Sequence, residues 1–265
     1  MSRRAASSLL ALCVLASPSL AAKSARELLT ESEAKNGLAT WSDRTAEARV
    51  DSYAPGGAVR SRTLELVESI APDGEHRTRM IYRTPADSSG AIFLRTSTST
   101  GDPEEWIWTP QARRARRLAS DQADESGYGP ELSYRDYEQL LRVLRWTDEE
   151  ATATLAGEEA IGDGTAAIVE VVPRSDDDPF ARYRLWLEPA SLRVVRAEMV
   201  ESDGTVRRRI NLGAPRADGS HATPTEIEIV RLPAGDKSVI RLEQVRYDTG
   251  VPDKAFSLNR LMRGE

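Results

Sequence analysis

The chain has one cysteine, two histidines and three phenylalanines in 265 residues. The cysteine, Cys13, lies inside an N-terminal apolar run, so nothing beyond that run carries a thiol. Disulfides, a reactive thiol and a thiolate metal site are thereby excluded from the remainder. His76 and His221 stand far apart and in no ligand spacing, which predicts solvated or strand-surface positions for both. Asp176-Asp177-Asp178 lacks the alternating ligands and distal glutamate of a calcium loop, so it reads as a solvated loop. No G-x-S-x-G element, phosphate loop or G-x-G-x-x-G occurs. The sequence therefore names no catalytic residue, no metal ligand and no cofactor. Basic charge is also short, with 36 Lys and Arg against 42 Asp and Glu and a net charge of −6. That balance argues against a general nucleic-acid role.

Long hydrophobic runs are missing too. Leu9 to Ala16 is apolar but too short to span a bilayer, and no later segment is apolar enough. Arg3 and Arg4 precede this run, Pro18 breaks it, and Ser19-Leu20-Ala21 supplies small residues. Residues 1–21 thus read as an export signal cleaved near Ala21. Cys13 sits within the run rather than at its end, which argues against lipid attachment. Residues 22–265 read as a single domain, with no linker, repeat or low-complexity tract.

What the chain does contain is strand punctuated by turns. Ala25 to Lys35 reads as a helix stopped by Asn36-Gly37. Arg44–Tyr53, Arg60–Ile70 and Glu75–Arg83 read as an antiparallel meander, with Pro55-Gly56-Gly57 and Pro72-Asp73-Gly74 between them. In the third segment Thr78, Met80 and Tyr82 alternate with Arg77, Arg79 and Ile81. Further strands are expected over Ala151–Leu155, Thr165–Val172, Arg182–Glu188, Leu192–Glu201, Thr205–Leu212, Pro224–Leu232 and Val239–Tyr247. Roughly ten or eleven strands with two helices exceed what a flat open sheet carries without curling.

The densest stretch is Glu104 to Tyr137. Trp106 and Trp108 fall on one strand face and Ile107 on the other, and Pro110 ends the strand. Arg113, Arg114, Arg116 and Arg117 follow as a basic turn. A long acidic loop runs through Gly127 and Gly129. Ser133, with Asp136 three residues on, marks a helix start, and Tyr134, Tyr137, Leu141 and Leu144 then form an apolar stripe.

The run W-I-W-T-P-x-A-R-R-A-R-R, followed by G-x-G-P-E-L-S-Y-R-D, resembles the outer-membrane lipoprotein-sorting family, the LolA-like periplasmic carriers. Trp106, Trp108, Pro110, Arg116, Arg117, Ser133, Tyr134 and Asp136 match. Gly129-Pro130-Glu131-Leu132 departs from the family's G-S-D-F element, and Arg135 stands where an acid is usual. Pro85-Ala86-Asp87 with the strand through Phe93, the run Trp186-Leu187-Glu188, and the tail Gly250-Val251-Pro252-Asp253 with Phe256 also resemble family elements. The likeness covers Arg44 to the C-terminus.

The resemblance implies a mostly β (α+β) fold, a strongly curved antiparallel sheet forming a half-open barrel with helices as a lid on its concave face. It implies a periplasmic, non-enzymatic protein that holds lipid or lipoprotein acyl chains and transfers them toward the outer membrane. An inner-membrane exporter and an outer-membrane acceptor are the partners it suggests. Phe93, Trp106, Trp108, Tyr134, Tyr137, Leu141 and Leu144 are the candidate cavity and lid residues, with core packing the competing role for the tryptophans. The four arginines are either solvated charges or contacts for an anionic headgroup or acidic partner. A lipid or lipoprotein sensor of the same fold, and an enzyme acting on envelope substrates, stay open as alternatives.

Overall fold

The computed structural model describes residues 23–37, 40–97, 103–118, 134–162 and 164–265. The leader read over residues 1–21, the Gly127–Gly129 loop and Ser133 lie outside the described residues, as do the side chains of Tyr134 and Tyr137.

Helix α1 (Ala25–Asn36) opens the described chain. Its first turn is closed by a reciprocal cap: Ser24 N donates to Glu27 Oε2 at 2.7 Å, and Glu27 N donates to Ser24 Oγ at 3.2 Å. Six strands follow as an antiparallel meander: β1 (Asp43–Tyr53), β2 (Val59–Ile70), β3 (His76–Thr84), β4 (Ile92–Ser97), β5 (Glu104–Thr109) and β6 (Arg114–Arg117). After α2 (Tyr134–Arg142) come β7 (Ala151–Ile161), β8 (Gly164–Pro173), β9 (Arg182–Leu187), β10 (Val194–Val200) and β11 (Val206–Leu212). A separate hairpin, β12 (Pro215–Asp218) and β13 (His221–Pro224), interrupts the run before β14 (Glu226–Arg231) and β15 (Lys237–Tyr247). A 3₁₀ turn at Asp253–Phe256 and helix α3 (Leu258–Met262) end the chain.

Among the described residues, β1 pairs with β15 over nearly its whole length and joins the halves into one curved, 13-stranded antiparallel sheet. The order is β6-β5-β4-β3-β2-β1-β15-β14-β11-β10-β9-β8-β7, so β6 and β7 are edges and the sheet is not closed into a barrel. The expected curved β architecture is therefore present, with more strands than expected. The extra edge is β6: Arg114–Arg117 pairs with Trp106–Thr109 instead of forming only a turn. Arginine composition hid it, because charged side chains are tolerated on an edge strand. The turn at Pro72-Asp73-Gly74 forms as expected. Gly74 adopts φ +85°, a left-handed conformation that costs glycine nothing, and its N–H returns to the Ala71 carbonyl at 2.9 Å.

Period-two alternation gives the sheet two faces. On the inner face, which α1 and α2 cover, Leu64, Leu66, Met80, Tyr82 and Phe93 join the larger core. On the outer face Val67, Ile92 and Leu94 form a smaller core with Phe256 and Leu261 of the C-terminal tail. The tail is held to the sheet by Asp43, whose carboxylate accepts from Thr249 N at 2.8 Å and Gly250 N at 2.9 Å. Each fully buried Leu or Val side chain contributes about 1.5–3 kcal/mol, so the inner face is the main source of stability.

Candidate functional site

Strand β1 sits at the centre of the sheet and carries Ala46, Ala48 and Val50 on its inner face. These are short side chains between the longer Leu64 and Leu66 of β2 and Ile240 and Leu242 of β15. The step in side-chain length leaves a hollow, a pocket of about 280 Å³. Leu140, Leu141 and Leu144 cover it from α2 and the residues that follow. Lys35 and Asn36 reach it from the end of α1, and Ser220, His221 and Ala222 from the β12–β13 hairpin. Trp41, Arg44, Arg193 and Tyr247 complete the mixed wall.

The covering helix is fastened by polar side chains. Asp136, 2 % exposed, lies 2.7 Å from Arg208 Nε on β11 and 3.2 Å from Arg231 Nη2 on β14. The Tyr183 hydroxyl on β9 is 2.8 Å from both Gln139 Oε1 and Asp178 Oδ1. Arg142 pairs with Asp178 at 2.8 Å and lies over the Trp146 ring. Arg26 of α1 donates to the carbonyls of Trp146 at 2.6 Å and Ala151 at 2.8 Å, which ties the first helix to the same corner.

One end of the inner face is a row of charge. Successive cross-strand partners run Arg44, Glu68, Thr78, Arg95 and Glu105 through β1 to β5. Arg44 Nε donates to Glu68 Oε2 at 2.7 Å, and Arg95 Nε lies 3.3 Å from Glu105 Oε1. Burial pushes the fully enclosed Glu68 carboxyl up. The charge of Arg44 and contact with His76 more than offset this and hold it at about 2, well below the usual carboxylate range. The same pairing raises Arg44 against its own desolvation. Arg44 also stacks 5.1 Å from the Trp41 ring centroid at the pocket wall.

A family described as "uncharacterized protein" matches residues 74–263, and no curated protein matches the chain. A domain assigned to outer membrane lipoprotein sorting, from Vibrio parahaemolyticus, superposes with a TM-score of 0.78 at 18 % identity, covering 89 % of this chain and 97 % of its own. A DUF1329 family protein from Desulfovibrio piger gives 0.78 at 22 % identity, over 89 % and 96 %. A LolA superfamily protein from Nitrosomonas europaea gives 0.66 at 16 %, over 90 % and 99 %. The chain belongs to the family described as "uncharacterized protein", and its fold is LolA-like. Its fold is shared with the domain from Vibrio parahaemolyticus.

Within this LolA-like frame, Leu141 and Leu144 line the pocket. Phe93 is fully buried in the inner core, but it is not among the pocket-lining residues. Trp106 and Trp108 lie on the outer face with Ala115, Leu258 and Leu261, while Ile107 between them points to the inner core. The structure therefore separates the tryptophans from Leu141 and Leu144. A Cβ built on Gly264 would collide with the Trp108 ring, which shows how closely the tail is laid over it.

The four arginines are all exposed and do not form one patch. Arg113 sits at the turn with φ +49°. Arg114 and Arg116 are the cross-strand partners of Thr109 and Ile107, whereas Arg117 is on the opposite face and lies 3.4 Å from Glu104.

His76 differs from expectation, while His221 is half-buried on β13. His76 is 7 % exposed, with Nε2 3.4 Å from Glu68 Oε1 and its ring edge-on to Trp41. His221 packs 4.3 Å from the Tyr247 ring and bonds Asp248 Oδ2 at 3.1 Å, inside the pocket wall. The surface position expected of His76 fails because spacing along the chain says nothing about which strands cover a residue. The signal available for His76 and its row was parity: Glu68, Thr78, Arg95 and Glu105 stand two residues from core-facing Leu66, Met80, Phe93 and Ile107, and His76 stands four from Met80. Among the described residues no group of three or more His, Cys, Asp or Glu is placed to hold a metal. No described helix is long and apolar enough to cross a membrane.

Sequence reasoning also missed Arg193. The preceding Leu192 is buried at φ +58°, a left-handed conformation that costs a branched residue about 1–2 kcal/mol. Its N–H bonds the Glu188 carbonyl at 2.8 Å, closing a tight turn that delivers Arg193 to the pocket.

Proposed function

We propose that this chain is an exported, periplasmic lipid-binding protein. It holds an acyl chain of a lipid or lipoprotein in the pocket over β1 and hands it on toward the outer membrane, with membrane-bound donor and acceptor proteins as partners. The observation that carries the reading is the hollow itself: short residues on β1, walled by Leu64, Leu66, Ile240 and Leu242 and covered by Leu141 and Leu144. An alkyl chain leaving water for such surroundings gains about 0.8 kcal/mol per CH₂, enough to hold a ligand that must later be released. The fold shared with a lipoprotein-sorting domain supports the same reading.

The reading gives the chain no reaction to catalyse. His221 is the one histidine in the pocket wall, and among the described residues its hydrogen bond goes to Asp248, with no nucleophile bonded to the ring. The test is lipid mass spectrometry of protein taken gently from the periplasm, together with uptake of a neutral apolar fluorophore by the delipidated chain. The reading predicts co-purified acyl lipid and saturable uptake that Ala48→Phe, which fills the floor of the hollow, abolishes. A clean protein whose fluorophore signal is unchanged by Ala48→Phe would refute it.

A further inference from the structure

We infer that the pocket takes a single-chain amphiphile with an anionic head, a carboxylate or a phosphate, and that Arg193 and Lys35 receive that head. The inference rests on the lipid-binding reading above and adds the ligand's charge and chain number. The described lining residues include Lys35, Arg44 and Arg193 and no aspartate or glutamate, in a chain whose net charge is −6. The sign of the pocket thus opposes the sign of the molecule, the condition under which a concave site concentrates an anion.

The three cations are not equivalent. Arg44 is already neutralised by Glu68. Lys35 stands in the last turn of α1, where the helix carbonyls favour a cation, and lies 4.0 Å from Glu31. Among the described residues Arg193 has no such partner. Its Nη1 donates to the Gly213 carbonyl at 2.8 Å, and it forms no ion pair among the described residues. A guanidinium with donors to spare matches the forked acceptors of a carboxylate or phosphate. His221 faces the same space but is bonded to Asp248, so it adds no net positive charge.

Arg193 and Lys35 are also held together. Asn36 Nδ2 donates to the Ser191 carbonyl at 3.1 Å, which sets the end of α1 beside the turn that carries Arg193. The volume of about 280 Å³ is at the small end for ligand sites, so it admits one chain rather than a diacyl lipid.

The test displaces a neutral apolar fluorophore from the delipidated full chain with four competitors at low salt: dodecanoate, dodecyl phosphate, dodecanol and inorganic phosphate. The two anionic amphiphiles should compete about tenfold more strongly than dodecanol, the scale of one charged hydrogen-bonding contact. Inorganic phosphate should not displace the fluorophore. Arg193→Gln should remove most of the anion preference while leaving dodecanol unchanged, and raised salt should act the same way. Lys35→Glu, at an exposed position, checks the same point without touching the turn and should lower anion affinity several-fold. Equal competition by dodecanol and dodecanoate overturns the inference, as does wild-type anion affinity in both variants. Displacement by inorganic phosphate alone overturns the amphiphile. If no competitor and no fluorophore binds, the lipid-binding reading itself has failed; equal binding of charged and neutral chains leaves that reading standing and removes only this one.

Discussion

Glu68→Gln removes the carboxylate that faces Arg44 and keeps its shape. The magnitude follows from the titration of the group it replaces. Glu68 is held at about 2 against an ordinary value of 4.5, because Arg44 and His76 outweigh the cost of burial. A carboxyl whose folded-state pKa is depressed lends stability that is complete above the unfolded value and is lost as pH falls toward the folded one. A depression of about 2.5 units, at about 1.36 kcal/mol per unit, amounts to about 3 kcal/mol. Wild type should therefore exceed the variant by about 3 kcal/mol at pH 7. The gap should close as pH falls between 4.5 and 2, with about 2 kcal/mol of it gone by pH 3. Urea unfolding followed by tryptophan fluorescence at pH 7, 5, 4 and 3 gives the gap by linear extrapolation. Other carboxylates titrate in the same window, but they are common to both proteins and cancel in the difference. A gap that stays constant on acidification, or widens, would refute the claim that Arg44 and Glu68 form a charged pair at the end of the pocket.

Asp136→Ala leaves Arg208 and Arg231 facing a lost partner; it should cost about 3 kcal/mol and raise amide exchange over 134–142 before the strands, which mass-resolved deuterium exchange would detect. Trp108→Ala should lower stability by about 2–3 kcal/mol, less than a fully buried Trp, and leave fluorophore affinity unchanged, because its ring lies under the tail; a lost affinity would return the tryptophans to the binding site. Leu141→Glu places a charge against the apolar floor, so fluorophore affinity should fall at least about tenfold while far-ultraviolet circular dichroism stays β-rich.

The sheet was legible because its signal is local. Alternation over Arg77–Tyr82 assigns β3 and its buried face at once, and His76, Thr78, Met80 and Tyr82 are indeed the buried set. Turn chemistry at Pro72-Asp73-Gly74 sets the β2–β3 connection. The pairing of β1 with β15 was not legible, since nothing in either strand names a partner nearly two hundred residues away. Nor was β6, whose four residues carry three arginines and offer no apolar face to read. The hairpin of β12 and β13 was missed for a similar reason, being two four-residue strands that contribute one fully buried side chain, Thr223.

The site was less legible than the fold, because parity tells which residues share a face but not what covers that face. Trp106 and Trp108 were correctly placed together and opposite Ile107. Which of those two faces meets α2 is decided by the C-terminal tail, which Asp43 anchors so that Phe256 and Leu261 take the tryptophan side. Ile107 and Phe93 are thereby left to the inner core and the hollow to the centre of the sheet. The hollow has no motif of its own. It is a difference in side-chain length between Ala48 on β1 and the leucines and isoleucines of its neighbours, and it becomes visible only when β2 and β15 are known to flank β1. The charge of the pocket has the same origin. Lys35 and Arg193 are far apart in the chain, and in the fold the contact of Asn36 with the Ser191 carbonyl sets these two cations at one wall free of described carboxylates.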